Sequence, residues 1–315
     1  MKGRIPSIIL LTVLLMITGC TNSTGQQSRI AEKRSKPLVY ASIYPMYDFA
    51  KNIGGDRIDL RMVVPVGAEP HDWEPTAKLI VALEEADVFI YNGVGMEPWA
   101  DNLIASLNGN GPLVVEASKG IQLLKHGNIG NSQHNHGHVS VGYDPHVWLD
   151  PTRAEKQAEN IMHALIKADG GNEAFYKLNF QEFTGKLRNL DSLYSETLSR
   201  LDKREIVVTH AAFGYLADRY GLEQISVSGL NPQEEPSAAQ LAALTDLLRE
   251  KRIGYIFFET LTNPKLATVL ADEVGAKTEV LNPIGGLTRQ QLDEGLDYIS
   301  VMQQNLETLE RVLGQ

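Results

Sequence analysis

The segment NEAFYKLNFQEFTGKLRNLDSLYSETLSRL, residues 172–201, carries no proline and a single glycine, Gly185. Its apolar residues Phe180, Phe183, Leu187, Leu190, Tyr194, Leu198 and Leu201 recur at spacings of three and four. That period marks one face of an α-helix. A helix over the whole segment would be roughly 45 Å long at 1.5 Å per residue. This is more than one α/β domain needs, so the segment reads as a bridge between two bodies. Such a seam can also pair with a second chain as a coiled coil. Here it is short and lies between two strand-rich halves, so we expect a bridge within a monomer.

On both sides of the bridge, strands alternate with helices. Upstream, LVYASIY (38–44), IDLRMVVP (58–65), DVFIYNG (87–93) and PLVVEAS (112–118) are short runs rich in Val, Ile and Tyr. PTAKLIVALEEAD and EPWADNLIASL between them read as helices, the first with Leu79, Ile80 and Leu83 on one face. Downstream, EIVVTH (205–210), QISVSG (224–229), GYIFFE (254–259) and KTEVLN (277–282) are strand candidates. Residues 236–251, 263–275 and about 288–313 are the helix candidates there. This alternation predicts an α/β fold with parallel sheets. The expected architecture is two four-stranded lobes, 38–150 and 204–315, joined by a helical linker over 151–203. The linker begins with a helical run from about Pro151 to Ala168. A stretch rich in Gly, Asn, Ser and His, about 119–142, interrupts the first lobe and reads as a loop.

The chain has 315 residues and a net charge of −10. An acidic chain without a basic stripe argues against nucleic acid as a partner, because phosphate neutralisation needs clustered Lys and Arg. Lys2 and Arg4 precede the apolar run IILLTVLLMI, residues 8–17. That run is too short for a membrane span, which needs about 20 apolar residues. It fits the core of a secretory signal. Thr18 and Gly19 stand before Cys20, the only cysteine. This resembles a bacterial lipobox, which implies a signal peptide over 1–19, cleavage before Cys20 and a lipid on its thiol. Residues 20–37 then form the lipidated end and a polar tether. The mature chain is expected on the outer face of the cytoplasmic membrane.

Three histidines stand in turns at strand ends or at the lobe boundary. His71 lies in PVGAEPHDWEP after the strand over 58–65, and His146 in DPHVWLDP. His210 closes EIVVTH. In parallel sheets, ligands bind beyond the carboxyl ends of strands. His71 and His210 read as topologically equivalent positions of the two lobes. If the lobes face each other, all three imidazoles meet in the interlobe cleft and form a metal site. Three separate structural histidines would give the same pattern, and no short-range metal motif such as HExxH or paired Cys is present.

The three motifs GAEPHDWEP, YDPHVWLDP and VVTHAAFGYLADRYGL, in this order, resemble the metal-binding lipoproteins of zinc and manganese ABC importers, the ZnuA/TroA-like cluster 9 solute-binding proteins. LNPIGGLT, 281–288, resembles the family's C-terminal signature. The resemblance implies two Rossmann-like lobes bridged by a rigid helix, with His71, His146 and His210 as metal ligands. It also implies an ABC permease and an ATPase subunit as partners. Manganese members carry Glu where His210 stands and Asp near Asn282. Imidazole suits Zn²⁺ and carboxylate suits Mn²⁺, so Zn²⁺ is the expected cargo, with Mn²⁺ or iron as the alternative. Several zinc members place a Glu where Gly285 stands, which leaves water or Glu259 as the fourth ligand. Glu69, Asp72 or Glu74 are candidate acceptors for the second N–H of His71.

His134, His136 and His138 alternate in the polar loop, with His126 upstream. They resemble a shortened His-rich loop of zinc members and read either as an accessory zinc-binding segment or as a solvated loop. His163 reads as a surface helix residue. Affinity is expected to fall as pH drops toward the ordinary His pKa of about 6.5, since ligation needs neutral imidazole. A rival from another class is a zinc hydrolase, because three His plus a water is also a catalytic arrangement. No general base is assigned in the sequence, so a binding protein is favoured over an enzyme. Family members have been described in cell adhesion, but no partner surface is legible.

Overall fold

The chain's computed structural model describes residues 34–107, 111–125 and 142–315. Cys20, His126, His134, His136 and His138 lie outside the described residues. Residues 35–315 form one compact unit. Its strands are β1 (Leu38–Ala41), β2 (Asp59–Met62), β3 (Val88–Tyr91), β4 (Leu113–Glu116), β5 (Glu205–Val208), β6 (Glu223–Ser226), β7 (Tyr255–Phe258) and β8 (Lys277–Val280). The helices are α1 (Tyr44–Gly54), α2 (Ala77–Glu84), α3 (Ala100–Ser106), α4 (Pro151–Ala168), α5 (Glu173–Ser199), α6 (Gly214–Tyr220), α7 (Ala238–Glu250), α8 (Lys265–Val274), α9 (Arg289–Asp293) and α10 (Tyr298–Leu313).

Two parallel sheets form, with strand orders β2-β1-β3-β4 and β6-β5-β7-β8. The α/β expectation therefore holds, with two four-stranded parallel sheets and a long helix between them. The central strands are buried on both faces, and their side chains alternate between two apolar layers. Val39, Ala41, Val88 and Ile90 face a large core shared with α1, α4, α5 and α10. Leu38, Tyr40 and Phe89 face α2 and α3. In the second sheet Ile206 and Val208 join the large core, while Val207 and Ile256 pack under α7 and α8.

α5 has 27 residues, a length of about 40 Å. Its seam residues Phe183, Leu187, Leu190, Tyr194 and Leu198 are buried. The helix packs against α1 and α4 on the first-lobe side and against α6 and α10 on the second. The seam is thus consumed inside the chain's own core. Phe180 and Leu201 are only partly buried, at the periphery of that core.

Two local expectations need correction. The strand read over 38–44 ends at Ala41, and Tyr44 opens α1 with Pro45 in its first turn. Proline's fixed φ suits a helix start, and its missing N–H costs nothing there. The helix read over about 288–313 is broken between Asp293 and Tyr298. Gly295 adopts φ 79°, which ends α9, and Asp297 restarts the chain as a cap whose carboxylate accepts the Ser300 N–H at 2.8 Å.

Asp48 of α1 is buried. Burial, followed by the neighbouring Asp297 charge, pushes its carboxyl from 3.8 up to about 7. The folded chain therefore holds this proton more tightly than the unfolded chain. This contribution to stability is present at low pH and is lost as pH rises from about 4 toward about 7. Asp48→Asn should gain melting temperature relative to the parent chain across that window and hold the gain above it. A difference in Tm that stays constant from pH 4 to pH 8 would contradict the assignment.

Candidate metal centre

β5 runs out at Val208 and delivers His210 directly to the cleft. Glu259 follows β7, the strand beside β5, in the same way. These two strands bracket the point where the strand order reverses, so both side chains sit in the crevice that parallel sheets reserve for ligands. His71 arrives differently. It sits in a 3-10 turn, Pro70–Asp72, well past the end of β2. Because β2 is the second strand of its sheet and β5 the first of the other, the two histidines are not topological equivalents. The long loop compensates for the distance. Its Gly67 N–H donates to the Leu287 carbonyl at 3.0 Å, which ties it to the 281–288 segment.

His146 stands between α4 and the first lobe. The Asn92 amide at the end of β3 donates to the Pro145 carbonyl at 2.9 Å. Just beyond, the Trp148 indole donates to the Pro283 carbonyl at 2.7 Å, and the Tyr298 hydroxyl donates to the Trp148 carbonyl at 2.5 Å. The segment bearing His146 is thus pinned from both lobes.

The three imidazoles converge. The Nε2 atoms of His71 and His146 are 3.1 Å apart, and those of His146 and His210 are 3.4 Å apart. One ligand atom from each of the three lies within 4.8 Å of the others, and among the described residues this is the metal-compatible cluster found. Two nitrogens on a tetrahedral Zn²⁺ with bonds of 2.0–2.1 Å are about 3.3–3.4 Å apart. The spacing therefore matches the edge of such a site. His146 and His210 are each 1% exposed, while His71 sits at the rim.

Carboxylates set two of the rings. Asp144 accepts from His146 Nδ1 at 2.8 Å and from its backbone N–H at 2.9 Å. Glu259 Oε1 pairs with His210 Nδ1 and accepts the Thr209 hydroxyl at 2.9 Å. A carboxylate at Nδ1 places the proton there and leaves the Nε2 lone pair facing inward. Glu69 lies at the cleft, but it accepts the His71 backbone N–H at 3.4 Å, so it caps the turn. Asp144 was not singled out in the sequence. Its signal was there, in an Asp-Pro pair directly before a candidate ligand.

Burial first, then the two neighbouring imidazoles, hold His71 well below the ordinary His range. Burial first, then the His210 charge, does the same for His146. For His210 burial pulls down, but Glu259, Glu69 and Asp144 together outweigh it and leave the group raised. Burial also lifts Glu69 to about 7. Two buried polar atoms of the cleft residues have no hydrogen-bond partner among the described residues, Glu259 Oε2 and Asn282 Nδ2. Orphaned buried polar atoms beside three inward-facing nitrogens suit a polar ligand in the cleft. Gly285 also lines this cleft and brings no side-chain ligand atom.

Residues 39–312 match the family model described as the periplasmic component A of the zinc-uptake complex, ZnuA. The chain belongs to this family. It is 41% identical over 308 residues to the high-affinity zinc uptake system protein ZnuA of Bacillus subtilis, covering 96% of this chain and 95% of that one. It is 36% identical to the zinc-binding lipoprotein AdcA of Streptococcus pneumoniae, covering 96% of this chain but 59% of that protein's length. The crystal structure of the Zn(II)-bound ZnuA-like domain of the same AdcA superposes with a TM-score of 0.75 at 36% identity, over 89% of this chain and 100% of that domain. Among the described residues no helix is long and apolar enough to cross a membrane.

Proposed function

We propose that this chain captures Zn²⁺ outside the cytoplasm through His71, His146 and His210 and delivers it to an ABC-type importer. The observation that carries this reading is the convergence of three imidazoles, with the Nε2 atom of His146 at 3.1 and 3.4 Å from those of His71 and His210 and two of the rings preset by buried carboxylates. An all-imidazole set favours Zn²⁺ over Mn²⁺ or iron, which prefer oxygen ligands. Membership of a zinc-uptake family supports the cargo and the importer's permease and ATPase as partners. Residues 1–19 serve as the export signal, and Cys20 carries the lipid that holds the chain at the outer face of the cytoplasmic membrane. His134, His136 and His138 form an accessory segment that the cleft does not require.

A monomer suffices for this task, since the long-helix seam is buried within one chain. Binding is favoured over hydrolysis because Asp144 and Glu259, the carboxylates nearest the rings, are committed to orienting imidazoles. Glu259 acts here as an orienting group. Glu259→Gln should therefore weaken zinc binding by roughly 10–100-fold, the range for loss of a carboxylate behind a metal-bound imidazole. Competition titration against a chromogenic chelator measures this. Unchanged affinity would remove Glu259 from the site, and complete loss of binding would make it a direct ligand.

A further inference from the structure

We infer that Gly214 and Tyr215 of α6, which contribute no ligand, are positioning residues of the metal centre: together they seat the Asp144 carboxylate that aims His146. The inference rests on the zinc-site reading above and concerns how one of its rings is held.

The Tyr215 side chain is fully buried. Its hydroxyl donates to the Asp144 carbonyl at 2.9 Å and accepts the Leu124 N–H at 3.1 Å. The Asp144 N–H in turn donates to the Leu124 carbonyl at 2.9 Å. Beside them, Lys125 and Tyr143 form an isolated antiparallel bridge. One hydroxyl from the second lobe thus closes two chain segments onto each other, one of which leads straight to His146. The ring itself cannot drift, because the Arg153 guanidinium lies 4.9 Å from its centroid. Arg153 is held by Asp150 at 2.6 Å and Asp218 at 3.0 Å.

Gly214 supplies the other half of the seat. A Cβ at this position would stand 2.4 Å from Asp144 Oδ2. No side chain fits without displacing the carboxylate. Gly214 is not among the glycines with positive φ, so backbone conformation does not demand glycine here. Room for the carboxylate does. Asp144 Oδ1 is meanwhile engaged by both the N–H and the Nδ1 of His146. Moving the carboxylate therefore turns the ring, or frees its Nδ1 proton to move to Nε2, where it would block the metal.

The test compares the wild-type chain with Tyr215→Phe, Gly214→Ala and Leu216→Ala. Leu216 is a fully buried residue of the same helix whose side chain has no polar atom to bond Asp144, so its truncation reports packing alone. Four quantities are read on each: zinc affinity by competition titration, the visible spectrum of the Co²⁺-loaded protein, the ¹⁵N imidazole signals of the metal-free protein, and the Tm of the metal-free protein. Tyr215→Phe and Gly214→Ala should lose roughly 10–100-fold in zinc affinity, as expected for a disturbed group behind a ligand. They should also alter the Co²⁺ spectrum and shift His146 from the Nδ1–H toward the Nε2–H tautomer. Leu216→Ala should lower Tm with affinity and tautomer unchanged. Wild-type affinity in both α6 variants, or a loss that merely follows Tm as in Leu216→Ala, overturns the inference. Absence of zinc binding in the wild type would overturn the proposed function instead. The tautomer measurement on metal-free protein would still decide whether α6 orients His146.

Discussion

His210→Ala is expected to lose more zinc affinity than any change behind a ligand, hence beyond the roughly 10–100-fold range of such changes. Three consequences combine. One of three nitrogens disappears, and the Nε2 atom 3.4 Å from that of His146 has no replacement. The Glu259 carboxylate, 3% exposed, loses its imidazole partner and among the described residues keeps the Thr209 hydroxyl alone. A buried carboxylate deprived of a partner is costly, so the cleft rearranges. The Thr209–His210 turn also changes shape where β5 enters the site. His163→Ala is the matched control, because that imidazole is 64% exposed on α4 and its removal should leave affinity unchanged. Competition titration of both variants decides this. Near-wild-type affinity in His210→Ala would show that zinc binds elsewhere.

The largest expected stability change lies on the long helix. Phe183 is 1% exposed, and its ring sits 5.2 Å from that of Phe49 on α1. Phe49 in turn meets Tyr298 edge-on at 5.0 Å, so the cluster joins α1, α5 and α10. Phe183→Ala removes the α5 ring of this cluster and leaves Phe49 without its partner on the long helix. Truncating a buried Phe costs about 3–5 kcal/mol when the surroundings cannot collapse. Leu193→Ala on the same helix should change stability by no more than about 0.5 kcal/mol, since Leu193 is 43% exposed. Urea unfolding of the metal-free chain separates the two. Equal destabilisation by both would mean that the seam does not face the core as described.

Much of this was legible before any coordinates. The 3–4 spacing over 172–201 has one physical reading, an apolar face on a helix, and the alternation around it has one common solution in parallel sheets. His71, His146 and His210 could be named as candidates because each lies in a turn at a strand end or lobe boundary. Their convergence could not be derived, since it depends on the two lobes facing each other. The break at Gly295 was hidden because both flanking segments are helical in pattern, and only the positive φ separates them. The tie of Gly214 and Tyr215 to the site is not legible in the sequence for a related reason. Their significance lies in contacts between segments far apart in sequence, such as Tyr215 with Leu124, and local pattern carries no trace of them. Glu69 reads from the sequence as a candidate imidazole acceptor, but the tight 3-10 turn gives its carboxylate to the His71 backbone N–H instead.

The central claim is that three imidazoles hold the cargo. Anomalous diffraction at the zinc edge from crystals of the zinc-loaded chain tests it most directly. The account predicts one strong anomalous peak in the interlobe cleft, about 2.0–2.1 Å from the Nε2 atoms of His71, His146 and His210. A stoichiometric zinc peak lying away from these three atoms would contradict it.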